Sequence, residues 1–203
     1  MSATHEPQPV LSRSDEAMRR IFKVANRFMV LIFRLGLGNL GNRPGTSQVM
    51  VLVHRGRKSG LLRRTPVNFA VVEGDIYCTA AFGSRAAWYR NLQADPHVEV
   101  WLPNAWVAGV AEEVPDSDPQ RSALMRQVLI ASGFAAPLFA GLNPKTIGEQ
   151  QLVELSAHYR LMRIRRTEAR TGPGGPGDLA WVWPLATAAL LVLLLLKKRP
   201  ASQ

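Results

Sequence analysis

The stretch Val71-Val72-Glu73-Gly74-Asp75-Ile76-Tyr77 is the strongest local structural signal in this chain of 203 residues. β-branched and aromatic residues flank a Glu-Gly-Asp centre, a pattern typical of two strands joined by a tight turn. We therefore predict an antiparallel hairpin in which residues 67–73 pair with residues 75–81.

Further short strands flank this hairpin in the sequence and outnumber the helices. Because hairpin-linked strands in a small sheet readily close into a barrel, which removes exposed edges, we predict a mainly β (α+β) fold with a six-stranded antiparallel barrel. No Gly-x-Gly-x-x-Gly stands between a strand and a helix, so a dinucleotide-binding fold is disfavoured. The other predicted elements are a Val-rich strand beginning near residue 48, strands at 97–102, 105–114 and 158–166, and helices at 86–94 and 118–132.

Composition limits the choice of partners. The chain has 25 Lys and Arg against 15 Asp and Glu, a formal charge of +10, which favours anionic ligands. Nucleic acid is suggested by charge alone, so we expect no nucleic-acid partner. Cys78 is the single cysteine, which excludes an internal disulfide, and the histidines show no spacing typical of a metal site. We expect no metal and a structural role for Cys78.

Both ends of the chain differ from the predicted barrel. Residues 15–37 place apolar side chains at three- and four-residue steps with Arg and Lys between them, which predicts a basic amphipathic helix. Gly and Pro then interrupt regular structure. The expected organisation is a disordered N-terminus (1–14), the amphipathic helix with its loop (15–45), the barrel domain (46–168), a linker (169–178), a hydrophobic segment (179–196) and a basic tail (197–203).

The hydrophobic segment predicts a membrane anchor. Its 18 residues carry no charge, and as a helix they would extend roughly 27 Å, close to the thickness of a bilayer's hydrocarbon layer. Trp181 and Trp183 near one end and Lys197-Lys198-Arg199 at the other are typical of membrane interfaces. We expect a single-pass C-terminal transmembrane helix in contact with membrane lipid, with the catalytic domain in the cytoplasm because no apolar signal stretch begins the chain. A helix buried in an oligomer is the alternative.

A basic loop is the first candidate for binding chemistry. It reads Gly56-Arg57-Lys58-Ser59-Gly60-Leu61-Leu62-Arg63-Arg64-Thr65-Pro66 and lies between two predicted strands. A glycine-containing turn can present backbone N–H groups to an anion, and guanidinium groups add fork-shaped donors. The segment lacks the order of a Walker loop, so we predict a site for a phosphorylated or carboxylated ligand, with a solvated basic loop as the alternative.

A second candidate segment follows the predicted hairpin directly. It reads Ala81-Phe82-Gly83-Ser84-Arg85-Ala86-Ala87-Trp88-Tyr89-Arg90-Asn91-Leu92. A glycine turn that leads into a helix N-terminus also favours anions. Trp88 fits core packing as well as ligand contact.

Taken in this order, the two segments resemble the deazaflavin-dependent nitroreductase and quinone reductase family, whose members share the split β-barrel of FMN-binding-like pyridoxine phosphate oxidases. The similarity covers about residues 49–114. It rests on residues 56–60 with Arg63 and Pro66, on the turn Glu73-Gly74-Asp75, and on residues 88–92 followed by Asp95-Pro96-His97-Val98.

The resemblance implies that the barrel binds coenzyme F-420, an 8-hydroxy-5-deazaflavin with a phosphodiester and a glutamate tail. The residues implied as cofactor-binding are Arg57, Lys58, Ser59, Gly60 and Arg63 at the phosphate and tail, Pro66 near the ring, Ala81, Gly83, Ser84 and Arg85 in the next loop, and Trp88 and Asn91 on the helix.

The resemblance also implies hydride transfer from the reduced coenzyme to an acceptor such as a quinone or nitro compound. Residues 124–141 contain none of the tyrosines that the best-known family members use for nitroaromatic substrates, which disfavours a nitroaromatic acceptor. We favour a lipophilic quinone, because the expected membrane anchor would hold the active site where such molecules concentrate. Tyr77, Tyr89 and Tyr159 remain as hydroxyl donors, and the sequence assigns no catalytic residue. The alternatives are an FMN-dependent enzyme on the same barrel and a non-catalytic module that binds flavin, haem or lipid at a membrane; a homodimer is compatible with each.

Overall fold

The computed structural model describes residues 13–40, 47–133, 143 and 145–197. The predicted disordered N-terminus, apart from its last two residues, and the basic tail after residue 197 lie outside these ranges. The described strands are β1 (Val49–Arg55), β2 (Leu62–Val72), β3 (Asp75–Ala80), β4 (His97–Leu102), β5 (Ala105–Glu113) and β6 (Arg160–Ala169). The described helices are α1 (Arg13–Arg34), α2 (Ala87–Ala94), α3 (Arg121–Ala131), α4 (Glu149–Ser156) and α5 (Val182–Lys197).

The six strands form a closed antiparallel barrel in the order β1-β2-β3-β6-β5-β4, in agreement with the predicted barrel. Closure pairs β1 with both β2 and β4, so no described strand leaves a free edge. The predicted hairpin is present: Val72 pairs with Asp75, and only Glu73 and Gly74 connect the strands. Both turn residues have positive φ, 50° and 89°, which suits a two-residue hairpin turn and explains the glycine.

Alternation along the strands divides the core into an interior and two outer layers. Inward residues such as Met50 and Leu52 fill the barrel. On the opposite face of β1, Val51 and Val53 pack with Trp101 and with Phe33 of α1. A third cluster packs α3 and α4 against the outer face of β2 and β3. Because the helices cover the sides, the end of the barrel at the turn between β1 and β2 stays accessible.

Element boundaries differ from the predicted ones for local reasons. Helix α3 begins at Arg121 rather than near Asp118, because the Asp118 carboxylate accepts a hydrogen bond from the backbone N–H of Gln120 at 2.8 Å and holds a turn there. Strand β6 begins at Arg160, two residues later than predicted, since Tyr159 still belongs to the turn that closes α4. The sequence patterns did not predict α4.

The prediction of a transmembrane anchor is wrong, and so is the membrane localisation that depended on it. Among the described residues, no helix is both long enough and apolar enough to cross a bilayer. The hydrophobic segment is not helical throughout: the N–H of Leu179 donates to the carbonyl of Arg34 at 2.8 Å, and the helix α5 begins only at Val182 and has 16 residues. A helix of that length extends about 24 Å, less than the hydrocarbon thickness of about 30 Å.

Candidate functional site

The basic loop between β1 and β2 is a compact turn. Gly56 anchors it, because its carbonyl accepts hydrogen bonds from the N–H groups of Ser59 and Gly60 at 3.1 and 2.7 Å, while its own N–H donates to Leu61 at 2.9 Å. Gly60 has a φ of 66°, a conformation that favours glycine. A Cβ on Gly56 would come within 2.8 Å of the Ser59 hydroxyl oxygen. The local sequence thus folds the chain back on itself and leaves the side chains at 57–59 exposed.

A cavity of about 370 Å³ opens between this loop, the start of β2 and helix α2. Its size lies at the lower end of the range of small-molecule pockets, about 300–1,000 Å³. Six of the twelve residues predicted to bind cofactor line it, and they come from all three elements. They are Arg57, Lys58, Ser59, Arg63, Trp88 and Asn91.

The other six predicted residues do not line this cavity. Gly60 lies in the loop itself, and Pro66 pairs with Val51 further along β2. Ala81, Gly83, Ser84 and Arg85 lie in the connection between β3 and α2. Gly83 has a packing role there: its φ is 55°, and a Cβ would approach the carbonyl oxygen of His158 to 2.4 Å.

The cavity is strongly cationic. Arg57, Lys58, Arg63 and Arg64 line it, and none of the Asp or Glu residues that the structure describes does. Within the described part of the chain none of these four forms an ion pair, whereas Arg163, on β6, contacts both Asp75 and Glu112. Uncompensated cations around a concave surface attract an anion and supply it with charge-assisted hydrogen bonds.

Three of the four cations are held in place by neighbouring groups, and for Arg57 that group is the Asn91 carboxamide. The guanidinium of Arg64 stacks over the Trp101 ring of β4 at 5.3 Å from its centroid, a cation–π contact that directs the side chain across β1. The guanidinium of Arg63 donates to the hydroxyl of Ser59 at 3.4 Å. Lys58, by contrast, is exposed and has no polar partner among the described residues, so its ammonium group is free to meet a ligand.

A series of hydrogen-bonded polar side chains, here called the polar chain, lies beneath these cations and consists of Arg57, Asn91, His54 and Thr65. Asn91 Oδ1 accepts hydrogen bonds from the backbone N–H of Arg57 at 3.2 Å and from its guanidinium at 3.1 Å. Asn91 Nδ2 lies 3.3 Å from His54 Nδ1, and His54 Nε2 lies 3.1 Å from Thr65 Oγ1. Asn91 and His54 are 7% and 2% exposed. Burial is the main cause that lowers the pKa of His54, and the nearby charge of Arg63 lowers it further, against a hydrogen bond with the backbone of Arg55.

Five cavity residues were missed by the sequence reasoning, namely His54, Gly56, Arg64, Thr65 and Ala87, although three of them lie inside the quoted basic segment. His54 had a usable signal. It continues the inward-facing alternation of Met50 and Leu52, so a polar side chain at this position must face the barrel interior at its open end.

Helix α2 contributes an apolar wall. Trp88 is half-buried, packs against the barrel core and also lines the cavity, so it serves both of the roles considered for it. Ala87, the first residue of α2, lies beside it. The positive end of the helix dipole therefore adds to the cationic field.

None of the three candidate tyrosines lines the cavity. The hydroxyl of Tyr89 donates to Glu113 Oε2 at 2.6 Å, on the side of α2 that faces β5. Burial, followed by this bond to Glu113, raises the pKa of Tyr89 to about 12. Cys78 is fully buried, and burial raises the pKa of its thiol to about 12, which suits a structural residue.

The closed six-stranded antiparallel barrel with a cationic cavity at one end is the predicted split-barrel architecture. The chain belongs to the family of F420H(2)-dependent quinone reductases, whose sequence model matches residues 25–134, more than half of the 203 residues. The match begins within α1 and ends just after α3, so it includes every residue that lines the cavity. The predicted family, the deazaflavin-dependent oxidoreductase activity and coenzyme F-420 as the cofactor are confirmed.

Solved structures show more distant similarity. An F420-H2-dependent reductase is 17% identical, with 58% of this chain and 94% of that chain covered and a TM-score of 0.43. A conserved hypothetical protein from Mycobacterium tuberculosis is 18% identical, with 64% and 80% covered and a TM-score of 0.46. A heme storage protein from Vibrio cholerae is 12% identical, with 64% and 89% covered and a TM-score of 0.44. No curated protein sequence matches the chain.

Proposed function

We propose that the cavity between the β1–β2 loop and α2 is the coenzyme F-420 site of this enzyme, and that the reduced coenzyme delivers hydride there to a quinone. The observation that carries this proposal is the set of four lining cations without an ion-pair partner among the described residues. Such a set favours a polyanion, and the coenzyme's phosphodiester and glutamate tail would supply one.

The residues present fit this group. Lys58 and Arg63 are exposed at the rim, where a long anionic tail leaves the cavity for solvent. Trp88 offers an apolar surface of the kind on which a fused ring packs. A volume of about 370 Å³ would hold part of such a ligand, and the exposed cations of the loop would be available to the rest.

The coenzyme, once bound, supplies the hydride chemistry, and the protein supplies position, electrostatics and exclusion of water. Arg57 is fixed by Asn91 and presents its remaining guanidinium donors to the ligand. Trp88 and Ala87 close the α2 side of the cavity against solvent. Among the described residues, no carboxylate lines the cavity to repel the anion.

The proposed hydride acceptor is a quinone. The family description supports a quinone. No tyrosine among the described residues lines the cavity, so a nitroaromatic compound oriented by phenol groups has no support here.

The test is a pair of titrations of the full chain, with coenzyme F-420 and with FMN at the same ionic strength. We expect the deazaflavin coenzyme to bind more tightly, because FMN has one terminal phosphate and no glutamate tail to occupy the outer cations. Mixing the reduced complex with a naphthoquinone should then oxidise the coenzyme in single-turnover measurements. Tighter binding of FMN would overturn the cofactor assignment, and binding without oxidation by any quinone offered would overturn the proposed acceptor.

A further inference from the structure

The hydrogen bonds of the polar chain beneath the cavity have assignable donors and acceptors. Both groups of Arg57 that contact Asn91 are donors, so the atom they face must be the carboxamide oxygen. The Asn91 amide nitrogen then faces His54 and donates to Nδ1, at 3.3 Å. A single ring proton on Nε2 is the arrangement that satisfies both side-chain contacts of His54, with Asn91 and with Thr65.

This tautomer fixes the role of Thr65. The Nε2–H of His54 donates to the Thr65 hydroxyl oxygen, at 3.1 Å, so the hydroxyl acts as an acceptor in that bond. The proton of the Thr65 hydroxyl is therefore available for a second hydrogen bond. Within the described residues that proton has no acceptor, and Thr65 lines the cavity.

We propose that His54 is a positioning residue of the cofactor site: it holds Asn91 so that Arg57 stays fixed at the rim, and it leaves the Thr65 hydroxyl as a donor to an acceptor atom of the bound ligand. This inference rests on the proposed function of the cavity. It adds two residues, His54 and Thr65, that neither the motifs nor the family resemblance assigned.

The other neutral tautomer of His54 would break the hydrogen bonds of the polar chain. A proton on Nδ1 would oppose the Asn91 N–H donors, and restoring the contact requires the carboxamide to flip. The flipped carboxamide would turn its NH₂ group toward the two donors of Arg57, which would then lose their acceptor. Arg57 would then lose both of its contacts with Asn91, and no other described residue would hold it at the rim.

Two conservative variants separate the two halves of the proposal. In His54→Asn the carboxamide oxygen falls near the position of Nδ1, which preserves the contact with Asn91 and removes the one with Thr65. In His54→Gln the carboxamide nitrogen reaches the position of Nε2, which preserves the contact with Thr65 and removes the one with Asn91. Each variant should weaken coenzyme binding about 3- to 10-fold, the range for one lost hydrogen bond in such a network.

Double-mutant cycles distinguish positioning from a merely structural role. We expect His54→Asn to be non-additive with Thr65→Val, and His54→Gln to be non-additive with Arg57→Ala, because each pair acts through the same contact. Additivity of both pairs within about twofold would overturn the proposal. Thermal unfolding of each variant provides the control, since a structural role would lower stability without any such pairing.

A second readout uses the free enzyme without coenzyme. Imidazole ¹⁵N chemical shifts of His54 should report a neutral ring protonated at Nε2, and a ring protonated at Nδ1 would overturn the proposal on its own. If the wild-type chain does not bind coenzyme F-420 at all, the proposed function fails. If it binds the coenzyme while the cycles are additive, only this inference fails.

Discussion

Arg34 and Asp178 form a bidentate ion pair: the Arg34 Nε donates to Oδ1 of Asp178 at 2.9 Å, and Nη2 donates to Oδ2 at 2.9 Å. The pair joins the end of α1 to the segment that precedes α5. Backbone bonds from Gly177 to Phe33 and from Leu179 to Arg34 reinforce the same junction. The C-terminal helix is thus tied to the N-terminal one.

Breaking this pair with Asp178→Ala should loosen the junction but leave the barrel folded. The Arg34 side chain is 39% exposed, so the pair contributes no more than about 1 kcal/mol to unfolding. Hydrogen exchange of the amides at 177–183 should accelerate, whereas that of β1 should not. Glu112→Ala, which removes exposed contacts with Arg163 and Arg165, is the matched control, and equal acceleration in that variant would contradict the role of the junction.

Removing a rim cation should weaken coenzyme binding without destabilising the protein. A hydrogen bond to a charged group contributes about 1.5–3 kcal/mol, so Lys58→Ala and Arg63→Ala should each raise the Kd roughly 10- to 150-fold. Lys58→Glu should do more harm than Lys58→Ala. Lys145→Ala removes an equally exposed lysine elsewhere and is the control for titrations at fixed ionic strength.

Shortening the glutamate tail of the coenzyme should reduce these penalties only for residues that contact the tail. Unchanged dissociation constants in both alanine variants would remove the β1–β2 loop from the site. Melting temperatures should stay within a degree or two of wild type, since both side chains are solvated in the free enzyme.

Tyr89→Phe should leave coenzyme binding and turnover intact. Its hydroxyl donates to Glu113 at 2.6 Å and does not line the cavity, so we expect a loss of roughly 1 kcal/mol of stability instead. Because the pKa of Tyr89 is raised to about 12, wild type should lose stability as the pH rises from about 10 toward 12, and the variant should lose less. A fall in single-turnover rate at unchanged Kd would instead make Tyr89 catalytic.

Cys78→Ala should also retain activity, at a cost in stability of about 1–2 kcal/mol from the small cavity left in the barrel core. The thiol is 0% exposed and its pKa is raised to about 12, so it is neither accessible nor ionised near neutral pH. Denaturant unfolding measures the first effect and alkylation of the native enzyme the second. Rapid modification of the folded protein would show that the strand around Cys78 opens.

Acidification should destabilise the protein through His54. The pKa of His54 is lowered in the folded state by burial, and the charge of Arg63 lowers it further. Arg57 and Arg64 also line the site, and no carboxylate among the described residues does. The unfolded chain therefore binds a proton more readily. The stability present above about pH 6.5 should fall as the pH drops from there through the folded pKa, and His54→Gln should show a flatter profile. An identical profile in the variant would assign the pH dependence to other groups.

Features that depend on near neighbours in the chain were predictable. Gly74 readily adopts the positive φ that a two-residue hairpin turn needs, and the strands on either side follow from alternation. The basic loop is likewise local, since Arg57 and Lys58 in the turn and Arg63 and Arg64 at the start of β2 are close in sequence and exposed. The family resemblance rests on these same segments.

The hydrophobic run shows where local composition misleads. An uncharged stretch of 18 residues approaches the thickness of a bilayer only if all of it is helical. Here contacts with α1 hold its first residues in turns. Those contacts join residues about 145 positions apart, so no window of the sequence contains them.

The polar chain of the site was decided by tertiary structure in the same way. Asn91 comes from α2, whereas His54 and Thr65 come from the two strands that the basic loop joins. Closure of the barrel brings α2 over the end of β1 and β2, and only then do Arg57, Asn91, His54 and Thr65 share their hydrogen bonds. The sequence by itself determined the hairpins, the cationic loop and the family; the tertiary structure decided the length of the last helix and which side chains line the site, because packing between distant segments sets both.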